Sequence, residues 1–146
     1  YDSRTTAPGE LFAAIPGLSA DGHRFIPTAA ARGAAAVLCE RAPEGELPYV
    51  RVASARQALA LASANWFGRP AEKMTMIGIT GTSGKTTSTF LIKSILEQKA
   101  GAKVGLIGTI QNMIGDRALH TERTTPESFE LQRLLRECAE SRSAAK

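Results

Sequence analysis

A glycine-rich segment between an apolar run and an amphipathic stretch limits the folds open to this chain. It spans residues 81–87 and has the sequence Gly-Thr-Ser-Gly-Lys-Thr-Thr. Its glycines let the backbone turn N–H groups inward around an anion, while Lys85 supplies a positive charge and Thr86 a hydroxyl. An apolar run from Met74 to Thr80 precedes it, and an amphipathic helix is predicted to follow. The order strand, loop, helix is typical of a phosphate-binding loop.

The loop has the short form of this motif. The long form, GxxxxGK[ST], has a glycine five residues before the second glycine, and here that position is Ile79. We expect the loop to hold the phosphates of ATP, with Lys85 on the β- and γ-phosphates and Thr86 as a ligand of Mg²⁺. These two are the predicted catalytic residues. The predicted ATP-binding residues are Gly81, Thr82, Ser83, Gly84, Lys85, Thr86 and Thr87.

Residues 1–70 predict a small α/β domain. Short apolar runs bounded by Gly and Pro indicate strands, which we place at residues 11–15, 34–40 and 49–52. A short helix is predicted between Pro27 and Gly33, and a longer one after Ser54, whose hydroxyl can cap it. The sequence Gly68-Arg69-Pro70 then marks the domain boundary.

Residues 71–146 predict the start of a second domain. Its strand, helix, strand and last helix are placed at residues 74–80, 84–99, 103–109 and 126–140. The order strand, helix, strand predicts parallel pairing of the two strands. The predicted fold class is thus α/β: a small N-terminal α/β domain followed by the start of a parallel-sheet P-loop ATPase domain. We also expect Trp66, Phe67 and Cys138 to be buried.

Composition argues against several classes of function. The 146 residues carry a net charge of +4, but Lys and Arg are scattered and no aromatic residue alternates with them, so no nucleic-acid partner is predicted. No apolar stretch of about 18 residues occurs, so we expect no membrane partner and a cytoplasmic location. Cys39 and Cys138 lack CxxC spacing and are interpreted as free thiols. His23 and His120 receive no catalytic or metal role.

Further motifs give the chain a family resemblance. The sequence GITGTSGKTT at residues 78–87 is followed by ERTTPES at 122–128, and the amino-terminal part contains Asp2-Ser3-Arg4 and Asp21-Gly22-His23. This array resembles the Mur ligase family of peptidoglycan synthesis over nearly the whole chain. Within that family it is most similar to the ligases that add the third amino acid to UDP-N-acetylmuramoyl-L-alanyl-D-glutamate.

The resemblance implies a mechanism and a set of substrate contacts. ATP would phosphorylate the side-chain carboxylate of the D-glutamate, and the amine of meso-diaminopimelate or L-lysine would then displace phosphate. Positions matching the family's uridine contacts are Tyr1, Ser3, Leu18, Ser19 and Ala20, and those matching its muramoyl-dipeptide contacts are Arg123, Thr124 and Thr125. Three of the implied positions depart from the usual residue: Tyr1 replaces Leu, Ser83 replaces Asn, and Arg123 stands where Asn can occur.

Other interpretations stay open at this point. The chain could be a sister Mur ligase, a folate polyglutamylator or a non-catalytic nucleotide-binding module, although the Asp-Ser-Arg and Asp-Gly-His motifs argue against the folate enzyme. The rest of the family's central domain, and its separate domain for the incoming amino acid, have no counterpart in these residues. We therefore expect a fragment that does not complete the ligation alone.

Overall fold

The computed structural model describes residues 1–17, 20–119 and 126–143, and the chain divides into two compact units. The division falls between Ala62 and Ser63, inside a helix. Both units combine helices with short strands, and the predicted α/β fold class is confirmed.

The first unit is built on a three-stranded parallel sheet. Its strands, in spatial order, are β1 (Leu11–Ala13), β2 (Ala36–Cys39) and β3 (Tyr49–Arg51). Helix α1 (Ile26–Ala31) connects β1 to β2, and α2 (Ala55–Trp66) follows β3. These elements match the predicted order, with each strand shorter than its apolar run.

Alternation along β1 places the core on both faces of this sheet. Phe12 packs in one buried cluster with Ile26 and Ala29 of α1, whereas Ala13 packs in a second cluster with Leu59 of α2. Successive strand residues point to opposite faces, so one helix covers each face of the sheet. The result is a three-layer unit. Because its strands are parallel, their carboxyl ends lie along one edge of the sheet, which we call the carboxyl edge.

The start of α2 lies at this carboxyl edge and is capped twice. The N–H of Gln57 donates to Ser54 Oγ at 3.3 Å, and the N–H of Ala55 donates to Glu40 Oε1 at 2.9 Å. The predicted Ser54 cap is therefore confirmed, and Glu40 adds a second acceptor for the exposed amides of the first turn.

The second unit contains two longer helices and an antiparallel sheet. Its elements are α3 (Lys85–Ala100), β4 (Gly105–Leu106), β5 (Asn112–Ile114), β6 (Arg117–Leu119) and α4 (Ser128–Ser143). Strands β5 and β6 form a hairpin closed by Gly115-Asp116, where Gly115 has a φ of +55°. Glycine accepts that conformation without steric strain.

The strand predicted at residues 74–80 is wrong for this chain, and so is its parallel pairing. No strand forms there, and β4 pairs with β5 in the antiparallel direction. A strand needs a neighbour to take its backbone hydrogen bonds, and none of the described residues offers one. Met76 and Ile77 each remain 55% exposed.

The structure tests the predicted burial of three side chains. Trp66 is 77% exposed, so its predicted place in the core is wrong. Phe67 is partly buried and packs edge-to-face on Phe129, with ring centroids 5.2 Å apart. Cys138 is buried at 7% exposure, as predicted.

Candidate functional site

The glycine loop enters α3 through a left-handed residue. Gly84 is the N-cap of α3 with a φ of +75°, and Gly81 has a φ of +150°. A Cβ at Gly84 would meet no atom within 4 Å, so backbone conformation rather than space requires glycine there. No side chain caps this helix start. Its first N–H groups are thus free to bind an anion.

Lys85 closes the loop on itself. Its Nζ donates a hydrogen bond to the carbonyl oxygen of Gly81 at 2.6 Å, and the side chain is exposed. The ammonium group therefore lies across the loop opening, where it can exchange this carbonyl for a phosphate oxygen. Thr82, Ser83 and Thr87 are also exposed, while Thr86 is half-buried. Together these residues fit a nucleotide phosphate.

The amino-terminal candidates lie in the first unit. Tyr1 is partly buried against the cluster of Ala13, Leu38 and Leu59. Ser3 is only 7% exposed. It lies in a turn where the Asp2 carbonyl accepts from the Thr5 N–H and from both threonine hydroxyls that follow. Among the described residues, Ser3 Oγ has no hydrogen-bond partner, so a ligand can use it.

Gly17 and Ala20 are the two hydrogen-bonded ends of a turn that follows β1. The N–H of Gly17 donates to the carbonyl oxygen of Ala20 at 2.9 Å, and Pro16 and Asp21 form an antiparallel bridge. The turn follows the carboxyl end of β1, and Ala20 is exposed. Crevices at the carboxyl ends of parallel strands are the usual ligand sites of open α/β sheets.

Five predicted site residues lie outside the described part of the chain. They are Leu18, Ser19, Arg123, Thr124 and Thr125. The remaining candidates fall into two groups, one in each compact unit: the glycine loop in the second, and Tyr1, Ser3 and Ala20 in the first.

Sequence reasoning missed a polar cluster next to Ala20. Asp21 Oδ1 accepts from both the N–H and the Nδ1 of His23, and Arg41 pairs with Asp21 Oδ2. Asp21 is the N-cap of the 3-10 turn Gly22–Phe25. The available signal was the Asp-x-His spacing, because an Asp side chain commonly bonds the amide two residues later.

Neither a metal cluster nor a membrane helix is found in the described ranges. No three His, Cys, Asp or Glu side chains in residues 1–17, 20–119 and 126–143 come together as metal ligands. Within the same residues, no helix has both the length and the apolar character needed to cross a membrane.

Two protein-family models match almost the whole chain. The model described as Mur ligase family, catalytic domain, matches residues 1–70, and the Mur ligase middle domain matches residues 79–145. Both belong to one family of ligases. The chain therefore belongs to the Mur ligase family.

Individual relatives narrow the comparison within that family. The UDP-N-acetylmuramoyl-L-alanyl-D-glutamate--2,6-diaminopimelate ligase of Clostridium tetani is 48% identical over 146 residues, which cover 97% of this chain and 30% of the relative. The protein of the same name from Chlorobium phaeobacteroides is 48% identical over 144 residues, which cover 96% of this chain and 28% of the relative. The chain thus spans about 30% of the length of these relatives.

Solved structures give the same family. A structure of a UDP-N-acetylmuramoyl-L-alanyl-D-glutamate--2,6-diaminopimelate ligase matches 97% of this chain and 29% of its own, with a TM-score of 0.79 and 25% identity. MurF ligase from Thermotoga maritima in complex with ADP matches 67% of this chain and 22% of its own, with a TM-score of 0.55 and 33% identity.

Proposed function

We propose that this chain carries the nucleotide-binding parts of a ligase that adds the third amino acid to UDP-N-acetylmuramoyl-L-alanyl-D-glutamate. Residues 1–70 would bind the uridine end of that substrate, and residues 71–146 would begin the ATP-binding domain. The observation that carries the proposal is the glycine loop with positive φ angles at the start of α3. It lies in a chain 48% identical to a relative of that name.

ATP supplies the phosphoryl group that activates the D-glutamate carboxylate. The N–H groups at the start of α3 would orient its phosphates, and Lys85 would exchange the Gly81 carbonyl for the β- and γ-phosphates. Thr86 would place its hydroxyl on Mg²⁺. Holding charge and geometry is the main task of a protein in phosphoryl transfer. The reaction would take place in the cytoplasm, where ATP is available.

The uridine end of the substrate is assigned to residues of the first unit. Ser3 offers a hydroxyl, Tyr1 an aromatic ring and Ala20 an exposed turn, with Leu18 and Ser19 assigned to the same group. Thr124, Thr125 and Arg123 are assigned to the muramoyl dipeptide. The names of the relatives favour 2,6-diaminopimelate over L-lysine as the amino acid added.

Calorimetric titration of UDP-N-acetylmuramoyl-L-alanyl-D-glutamate into the 146-residue chain tests the uridine assignment. We expect Ser3→Ala to weaken binding about three- to tenfold, the effect of losing one neutral hydrogen bond. The matched control is Thr28→Ala, which removes an exposed hydroxyl from α1. Equal affinity of both variants and the unmodified chain would contradict the assignment.

A separate titration with ATP and Mg²⁺ tests the glycine loop. Lys85→Ala should weaken binding roughly 10- to 100-fold, because a hydrogen bond to a charged partner is lost. Lys99→Ala removes the same charge from the last turn of α3 and should leave the affinity unchanged. Equal losses in the two variants would indicate only a general effect of charge.

A further inference from the structure

We propose that His23 is a positioning residue of the nucleotide site, and that it acts through Asp21 on the turn that presents Ala20. The proposal rests on the proposed function, which assigns Ala20 to the uridine nucleotide. The contacts that carry it lie within the first compact unit and involve the loop after β1 and the residues that follow β2.

The turn after β1 is fixed at its base. Besides the Gly17–Ala20 hydrogen bond, the N–H of Gly22 donates to the carbonyl oxygen of Ile15 at 3.0 Å. A Cβ at Gly22 would lie 2.6 Å from both the nitrogen and the oxygen of Ile15, so only glycine fits. The backbone before the turn is therefore hydrogen-bonded to the backbone after it, and Asp21 lies between the two hydrogen bonds, opposite Pro16.

The Asp21 carboxylate is hydrogen-bonded to His23, which lies in the 3-10 turn Gly22–Phe25. Its Oδ1 accepts from the His23 N–H at 3.0 Å and lies 2.7 Å from His23 Nδ1, while Arg41 pairs with Oδ2. Asp21 is thus held by donors on two sides. A shift of His23 would move the carboxylate, and with it the residue next to Ala20.

The other nitrogen of His23 faces the end of β2. Its Nε2 accepts from the backbone N–H of Glu40 at 3.0 Å and of Arg41 at 3.3 Å. Since both partners are donors, Nε2 must be the acceptor and the ring proton must be on Nδ1, pointing to Asp21. The neutral imidazole, with its side chain only 10% exposed, is a rigid bridge from the β2 end to the nucleotide turn.

His23→Asn and His23→Gln can each keep one of the two contacts of the imidazole ring, either the one with Asp21 or the one with the backbone after β2. Asn at position 23 can donate to Asp21 from its amide nitrogen, and Gln can accept from the two backbone amides with its amide oxygen. Neither residue makes both contacts from one rigid ring. A positioning role therefore predicts that each substitution restores only part of what Ala removes.

Titration of UDP into the 146-residue chain tests the bridge. We expect His23→Ala to weaken UDP binding about tenfold, a loss of about 1.4 kcal/mol, with His23→Asn and His23→Gln in between. ATP–Mg²⁺ affinity at the glycine loop should not change. The matched control is Thr28→Ala, which removes an exposed hydroxyl from α1. It should alter neither the urea midpoint nor UDP affinity.

The outcomes separate the two proposals. If the unmodified chain binds UDP and His23→Ala binds it equally, the positioning role is overturned and the proposed function stands. If the unmodified chain does not bind UDP, both are overturned. Should His23→Ala fail to fold, as judged by circular dichroism, the Asn and Gln variants decide: unmodified affinity in both overturns the role, and weakened binding with an unchanged urea midpoint supports it.

Discussion

Asp21 has a carboxylate whose charge the fold stabilises. Its pKa is lowered from 3.8 to about 2, chiefly by the N–H of His23, then by the imidazole, and less by Arg41. Because the folded pKa lies below the unfolded one, the unfolded state binds more protons in this range. The contribution is full above about pH 4 and is lost as the pH falls through about 2.

We therefore expect the urea midpoint of the first unit to fall as the pH drops from about 4 to about 2. In Asp21→Asn the fall should be smaller but still present, because Arg4 likewise lowers the pKa of Asp2 to about 2. Circular dichroism during urea titration at several pH values measures this. Glu44→Gln, which removes an exposed carboxylate, serves as the control. Identical profiles for Asp21→Asn and the unmodified chain would show that the network does not stabilise the fold.

Single residues were predictable where their partners are close in sequence. The glycine loop is local, so its order of Gly, Lys and Thr was enough to place it before a helix. His23 was left without a role because its acceptor nitrogen meets Glu40 and Arg41, which are 17 and 18 residues further along the chain. Contacts of that separation depend on the pairing of β1 with β2, which no local pattern encodes.

Strand β4 and helix α4 approach each other closely at Gly105. A Cβ at this position would lie 2.4 Å from Cys138 Sγ and 3.2 Å from Cys138 Cβ, and Cys138 is buried. We expect Gly105→Ala to destabilise the second unit by about 1–3 kcal/mol, the usual effect of overpacking. In a Cys138→Ala background the same change should cost much less, because the sulfur is gone.

Urea unfolding of the single and double variants, treated as a double-mutant cycle, measures this coupling. Gly78→Ala is the control, since a Cβ there would meet no atom within 4 Å. A loss of stability from Gly105→Ala that is the same in both backgrounds would contradict the steric explanation.

Elements with local signals were predicted well. Helix α1 begins with Pro at its second residue, α2 has its Ser54 cap, and α3 ends at Gly101 in the left-handed conformation. The strand predicted at residues 74–80 was wrong because an apolar run forms a strand only where a neighbouring strand takes up its backbone hydrogen bonds, and none of the described residues does so here. The hairpin of β5 and β6 was missed, although Gly115-Asp116 between two short runs is a turn signal.

The two units differ in how completely their apolar residues are covered. In the first, both faces of the sheet have buried clusters under a helix. In the second, four apolar residues before and along α3 are more than half exposed, namely Met76, Ile77, Leu91 and Ile95, whereas Ile79, Ile92 and Leu96 are half-buried. The exposure in the second unit fits a chain that spans about 30% of its relatives' length, because no strand lies beside residues 74–80 in the described part of the chain.

Hydrogen exchange of the 146-residue chain tests this contrast directly. Residues 75–83 donate no backbone hydrogen bond to any described residue, whereas the N–H groups of Val37 and Val52 are bonded at 2.8 and 2.9 Å. Amides without such bonds exchange through small local fluctuations, and those in a buried sheet require larger opening. We expect residues 75–83 to exchange within about tenfold of the unstructured rate, and β2 to be the slowest part of the first unit. Strong, uniform protection from Met74 to Glu140 would contradict the idea that this unit lacks neighbours. In a chain as long as the relatives, residues 75–80 should become protected, because further strands could then take up their hydrogen bonds.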